Sequence, residues 1–87
     1  MKRISIAKGL GKSYLFSESN VYDPSKRQEF RDYSTLIDYL RGDEMKKNRK
    51  RNQLEILAWE FGDDEIEILR VHLKEIGFRG EVKKNKN

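Results

Sequence analysis

The chain has 87 residues, of which 39% are charged and 36% hydrophobic, and it carries a net charge of +4 and no cysteine. A chain of this length folds as one domain with a thin core, and the lack of cysteine excludes disulfides, thiolate zinc sites and cysteine nucleophiles. No segment has the apolar stretch of a signal peptide or the length of a membrane span, so we expect a cytoplasmic protein without membrane contact.

A β-hairpin is the first predicted element and covers residues 3–17. Ile4-Ser5-Ile6 alternates in the manner of a strand, and Tyr14-Leu15-Phe16 is aromatic and apolar. Gly9-Leu10-Gly11 lies between these two segments. Glycine readily adopts the positive φ angles of tight turns, so this tripeptide predicts the turn of the hairpin.

Residues 23–42 allow two interpretations. In the first, Asp23 and Pro24 begin one long helix, whose apolar residues recur at helical spacing. These apolar residues are Phe30, Tyr33, Ile37 and Leu40. In the second, a third strand near residues 28–33 precedes a short helix over residues 35–41.

The second interpretation is favoured because Ser34 and Thr35 suit the start of a helix better than its interior. Thr35 and Asp38 have the spacing of a capping box, with aspartate in place of the usual glutamate or glutamine. Both interpretations end the helix at Gly42.

A run of cations, here named the basic block, occupies residues 46–51. It lies within a segment at about residues 43–52 that is predicted as a charged linker or as the first turns of the next helix. The basic block consists of Lys46, Lys47, Asn48, Arg49, Lys50 and Arg51. Residues 15–45 before it carry seven acids and four bases, and residues 53–69 after it carry six acids and no base. Such segregated charge is typical of surfaces that contact phosphates or acidic proteins, and also of solvated loops.

Two C-terminal helices are predicted after this linker. Apolar residues at helical spacing over residues 54–61 indicate a first helix, and those over residues 64–76 indicate a second. As an alternative, residues 54–61 form a buried strand that pairs with the hairpin and is backed by the helix at 64–76. A short closing strand is predicted at Phe78–Val82, and a disordered basic tail at residues 83–87.

These elements predict an α+β fold with a single compact domain over residues 1–82. Its N-terminal hairpin, extended by a third strand in the favoured interpretation, packs against a short helix and a C-terminal helical pair. The predicted core consists of Ile4, Ile6, Leu15, Phe16, Phe30, Leu36, Ile37, Leu40, Leu57, Phe61, Ile66, Leu69, Leu73 and Ile76.

The titratable residues show no pattern for catalysis or metal binding. His72 is the only histidine, and one histidine without a cysteine cluster does not make a metal site. Helix capping accounts for Asp63 and Asp64, whose spacing differs from that of a calcium-binding loop. We therefore expect a protein without enzymatic activity, metal or cofactor.

The charge pattern leaves two classes of function. We favour a small protein-binding modulator, a regulatory accessory protein that docks on a larger cytoplasmic partner through the basic block and an acidic helix face. That face consists of Asp64, Glu65 and Glu67. The alternative is a nucleic-acid-binding accessory protein that contacts the phosphates of DNA or RNA. Its contact residues are Lys46, Lys47, Arg49, Lys50 and Arg51.

The protein-binding class is favoured because the acids of residues 53–69 offset the basic block and no nucleic-acid recognition motif is present. A DNA-binding helix-turn-helix over residues 54–73 is rejected for a related reason. Its recognition helix would begin with Asp64, Glu65 and Glu67, and carboxylates at that end repel phosphates.

Overall fold

In a computed structural model of the chain, residues 2–19 and 21–85 are described and form five strands, three α-helices and a 3-10 helical turn. The strands are β1 (Lys2–Lys8), β2 (Tyr14–Ser17), β3 (Gln28–Phe30), β4 (Leu54–Trp59) and β5 (Glu81–Asn85). The helices are α1 (Tyr33–Arg41), α2 (Lys46–Lys50) and α3 (Asp63–Glu75), and the 3-10 turn spans Asp43–Met45. The predicted α+β class is confirmed.

The strands form one mixed sheet in the order β3-β2-β1-β4-β5. Strands β1 and β2 pair antiparallel, as do β2 and β3. The third strand ends at Phe30 and is shorter than the predicted strand near residues 28–33. Strand β4 pairs parallel with both β1 and β5. Parallel neighbours need a crossover connection, and the helices supply both crossovers.

The predicted helical pair is wrong in its first member, because residues 54–59 form the interior strand β4. The alternative interpretation, a strand paired with the hairpin and backed by the last helix, is the observed one. Leu54, Ile56 and Ala58 are buried on one face, while Leu57, which was predicted to lie in the core, is only half-buried on the other. A strand between two parallel neighbours is apolar almost throughout, and such a run also matches helical spacing.

Helix α1 begins at Tyr33 and is capped by Asp32, not by the predicted pair Thr35 and Asp38. The Oδ1 atom of Asp32 accepts hydrogen bonds from the Thr35 backbone N–H at 2.8 Å and from its hydroxyl at 2.7 Å. The long helix over residues 23–42 is also wrong. Asp23 begins a turn, in which its carbonyl accepts from the N–H of Lys26 at 3.0 Å, and strand β3 follows.

Helices α1 and α3 cover the same face of the sheet, and the main core lies between them and the strands. The buried residues of this core are Ile4, Ile6, Phe16, Leu36, Ile37, Leu40, Met45, Leu54, Ile56, Ala58, Phe61, Ile66, Leu69, Leu73, Phe78 and Val82. Phe30 and Ile76, also predicted as core, are partly buried at its margin. On the opposite face, Ala7, Leu15 and Val21 form a smaller cluster with Trp59 packed against it.

Two glycines turn the chain from α3 into β5. Gly77 has a φ of 107°, and the next residue, Phe78, donates its N–H to the Leu73 carbonyl at 2.9 Å, which closes the helix in a Schellman arrangement. Gly80 lies so close to β4 that a Cβ atom there would be 2.6 Å from the Leu54 carbonyl oxygen. Only a residue without a side chain fits this approach.

Strand β5 begins later than the closing strand predicted at Phe78–Val82. It includes residues 83–85 of the predicted disordered tail, and residues 86 and 87 lie outside the described part of the chain. Within the described residues, no helix combines the length and apolar character needed to cross a bilayer.

Candidate functional site

The structure places the two predicted sets of charged site residues on different elements. The basic block, which forms α2 and the residue after it, ends just before β4 begins, and the acidic set starts on α3 just after β4 ends. A strand of this length separates its ends by about 20 Å. The two sets therefore form two distinct surfaces.

Arg49 of the basic block is engaged inside the fold. Its Nη1 atom donates hydrogen bonds to the carbonyl oxygens of Leu40 at 2.7 Å and Gly42 at 2.6 Å. These carbonyls lie at the C-terminal end of α1, where backbone acceptors lack helical partners. Arg49 thus caps α1 with a charged donor, which favours the negative end of the helix dipole.

Asn48 of the basic block is also engaged internally. It is buried, and its amide nitrogen donates to the Glu18 carboxylate at 3.0 Å. Glu18 in turn pairs with Lys2 at 3.2 Å. The hydrogen bond from Asn48, followed by the contact with Lys2, lowers the pKa of Glu18 against the opposing effect of burial. Asn48 therefore ties α2 to the segment after β2.

The remaining cations of the block are exposed, and we name them the basic surface. They are Lys46, Lys47, Lys50 and Arg51. The exposed Arg79 adjoins them, because it donates to the side-chain oxygen of Asn52 at 3.1 Å. Acidic groups also lie at this end, since the exposed Asp43 and Glu44 immediately precede α2.

Two of the three predicted acidic residues contribute to the stability of α3. Glu65 accepts from the N–H of Gly62 at 2.9 Å, which caps the helix, and its carboxylate pairs with Lys8. The contact with Lys8 is the main cause of the lowered pKa of Glu65. Glu67 pairs with Arg70 one turn along the helix. Asp64 is exposed.

Ile68 and Val71 on α3 are exposed apolar residues outside the predicted charged sites. Their side chains are 53% and 54% exposed, whereas Ile66, Leu69 and Leu73 of the same helix are buried. Together with Asp64 and Glu75 they form a line along the outside of α3, here named the outer stripe. The sequence does indicate that these two residues point away from the core, since positions 68 and 71 fall outside the 66-69-73-76 periodicity that marks the core face.

A hydrogen bond between Tyr33 and His72 joins the start of α1 to α3. The Tyr33 hydroxyl lies 2.7 Å from His72 Nδ1, and Tyr14 packs edge-on against the Tyr33 ring at 5.4 Å between centroids. Burial, followed by the neighbouring Tyr14, raises the pKa of Tyr33 to about 12. Tyr33 is therefore uncharged at neutral pH, and its hydroxyl can donate to the histidine nitrogen.

The described residues contain no group of three or more His, Cys, Asp or Glu side chains placed to hold a metal ion. The chain matches no protein-family model, no curated protein and no solved structure. The outer stripe and the basic surface are the two candidate sites of function.

Proposed function

We propose that this protein is a small, non-catalytic modulator that binds a larger cytoplasmic protein through the outer stripe of α3. The observation that carries the proposal is the exposure of Ile68 and Val71, at 53% and 54%, in the middle of a helix whose other apolar residues face the core. Protein-docking helices present apolar anchors three or four residues apart. Ile68 and Val71 have this spacing.

The free energy gained by burying Ile68 and Val71 is too small to hold a complex without further contacts. Complete burial of an exposed Ile or Val side chain stabilises a complex by about 1.5–3 kcal/mol, so the two half-exposed side chains together contribute about that amount. Association costs about 4 kcal/mol or more in lost translational and rotational freedom. Flanking contacts must therefore contribute, and the segregated charges of the molecule suit that role because they orient the partner.

Nucleic-acid binding is the second candidate function, and the exposed basic surface with the adjoining Arg79 favours it. Four exposed cations lie on α2 and the residue after it. Clustered cations of this kind bind phosphates with release of counterions. The exposed acids Asp43 and Glu44 belong to the 3-10 turn that leads into α2. These acids weaken the attraction, so this function ranks below protein binding.

The test compares the wild-type protein with the double variant Ile68→Ser/Val71→Ser. Leu10→Ser is the matched control, because Leu10 is an apolar residue that is 92% exposed in the hairpin turn. Each protein is immobilised, and the proteins retained from a lysate of the cells that produce it are quantified. We expect a protein that the wild type and Leu10→Ser retain equally and the double variant retains at least about tenfold less, as a loss of about 1.4 kcal/mol implies.

Equal retention by all three proteins contradicts the proposal. So does binding of labelled DNA or RNA that falls steeply with salt and disappears when Lys46, Lys47, Lys50 and Arg51 are changed to Ser, if the Ile68→Ser/Val71→Ser variant binds the nucleic acid normally. That result establishes the second candidate function instead.

A further inference from the structure

We infer that the outer stripe selects a partner helix that carries two apolar residues between two cations. This inference rests on the proposed function, since it names the partner chemistry of the same surface. Asp64, Ile68, Val71 and Glu75 lie at positions i, i+4, i+7 and i+11 of α3. On a regular helix these positions span about 16 Å and fall within an arc of about 60°. They therefore form a straight line with a carboxylate at each end.

Among the described residues, the two end carboxylates differ from the other acids of α3 in forming no ion pair. Asp63 pairs with Lys84 at 2.8 Å, and Glu65 and Glu67 pair with Lys8 and Arg70. Asp64 and Glu75 are exposed and have no ion-pair partner among the described residues. Cations on a partner are therefore the groups that can neutralise them.

The charged side chains on either side of the outer stripe affect where a partner cation can bind. On one flank, Arg70 is held by Glu67 and donates its Nη2 to the Val82 carbonyl at 3.0 Å, and Lys74 is exposed. On the other flank, His72 bonds to Tyr33 of α1. Lys74 directly precedes Glu75 and repels a partner cation on its own side of that end, whereas Asp64 and the side of Glu75 away from Lys74 attract one.

A second copy of this chain is a poor occupant of the stripe. If two α3 helices pack antiparallel about the centre of the stripe, Asp64 of each lies opposite Glu75 of the other. If they pack parallel, each carboxylate lies opposite its own copy. Both arrangements place like charges together around the apolar pair, and like charges oppose association. The outer stripe therefore binds a polypeptide other than a second copy of this chain.

A helix is the partner element that matches this shape. The stripe runs along two i, i+4 steps joined by one i, i+3 step, and ridges of this kind pack against the ridges and grooves of another helix. Cations eleven residues apart on a partner helix are also separated by about 16 Å, the distance between the ends of the stripe. The partner segment is therefore an amphipathic helix with a basic residue at each end of its apolar face.

The test uses two synthetic alanine-rich helical peptides as probes. One carries Lys, Leu, Leu and Lys at positions i, i+4, i+7 and i+11, and the other carries Glu in place of both lysines. Each is titrated into isotopically labelled wild-type protein at low salt, to about 1 mM peptide, a range that reveals affinities as weak as about −4 kcal/mol. We expect the lysine peptide to shift the amide resonances of residues 64–75 and to bind about tenfold more tightly than the glutamate peptide.

The control variant is Asp64→Asn/Glu75→Gln, which removes both charges with little change in shape. In this variant we expect the two peptides to bind about equally, because the apolar contacts remain and the charge discrimination is gone. The inference is overturned if the wild-type protein shows no shifts at residues 64–75, if it binds both peptides equally, or if its preference for the lysine peptide survives in the control variant.

Failure of the inference and failure of the proposed function give different results. If the Ile68→Ser/Val71→Ser variant loses a cellular partner but the peptides are not distinguished, the stripe docks a protein of other chemistry. If the peptides are distinguished but no cellular protein depends on Ile68 and Val71, the charge selectivity stands and the modulator function does not.

Discussion

Residues that are alike in sequence have different roles in the basic block. Arg49 donates to two backbone carbonyls at the end of α1, whereas Lys50, its neighbour, is exposed. Asn48, the one uncharged residue of the block, is buried and bonded to Glu18. The composition of the run therefore indicates a basic surface, but the individual contacts decide which cations remain available to a partner.

For Arg49→Gln we expect the free energy of unfolding to fall by about 1–3 kcal/mol, since two backbone acceptors at the end of α1 lose a charged donor. Urea unfolding measures this change. Lys50→Gln is the control, and as an exposed substitution it changes stability by about 0.5 kcal/mol or less. Equal effects of the two substitutions would show that Arg49 does not cap α1.

At the scale of elements, the connection from α3 to β5 depends on a close approach of two backbone segments. Parallel pairing of β4 with β5 brings Gly80 against the start of β4, where a Cβ atom would lie 2.6 Å from the Leu54 carbonyl oxygen and 2.8 Å from its Cβ. These atoms belong to the interior strand β4, so they cannot move without disturbing the pairing of β4 with β1 as well. The edge strand β5 and its neighbour β4 are thus coupled through one glycine.

For Gly80→Ala we expect a loss of about 1–3 kcal/mol in the free energy of unfolding, because inserting a methyl group into a filled space forces the backbone to shift. The comparison is Glu81→Ala at the next residue, an exposed position where the change is about 0.5 kcal/mol or less. Thermal or urea unfolding measures both. A Gly80→Ala protein as stable as the wild type contradicts the close approach.

At the scale of the whole molecule, the titratable groups define a pH range of greatest stability. Hydrogen bonds from Asn48, Thr35 and Lys83 are the main causes of lowered pKa values at Glu18, Asp32 and Glu55, respectively. A carboxyl group with a lowered pKa in the folded state stabilises the fold above its unfolded pKa, and this contribution is lost as the pH falls through the folded pKa. Tyr33 acts oppositely, because its raised pKa favours the neutral form in the folded state.

We therefore expect the melting temperature to be highest between the two ranges where these groups titrate. It should fall as the pH drops below about 4.5, the unperturbed pKa of glutamate, and again as the pH rises from 10 towards about 12, where Tyr33 ionises. Thermal unfolding followed across pH measures this profile. Tyr33→Phe, which removes the ionising hydroxyl, should flatten the alkaline decline. A melting temperature that rises on acidification below pH 4.5 contradicts the assignment of the carboxylates.

Some residues of the candidate surfaces could be predicted from the sequence. Asp64 and the four cations of the basic surface were selected by charge, and the structure places them exposed. Arg49, Glu65 and Glu67 were selected by the same rule but have internal partners. Ile68 and Val71 were missed because they are apolar and the prediction of surfaces rested on charge, although both fall outside the 66-69-73-76 periodicity of the core face.

The sequence by itself determined the α+β class, the N-terminal hairpin and the last helix, because alternation, helical periodicity and turn-forming glycines are local signals. Only the tertiary structure decided that residues 54–59 are a strand. That run is apolar on both faces, and its conformation depends on parallel pairing with β1, whose residues lie far away in the chain. Helical periodicity places Ile68 and Val71 away from the core face of α3, but only the packing of the whole chain decided that no other element covers them.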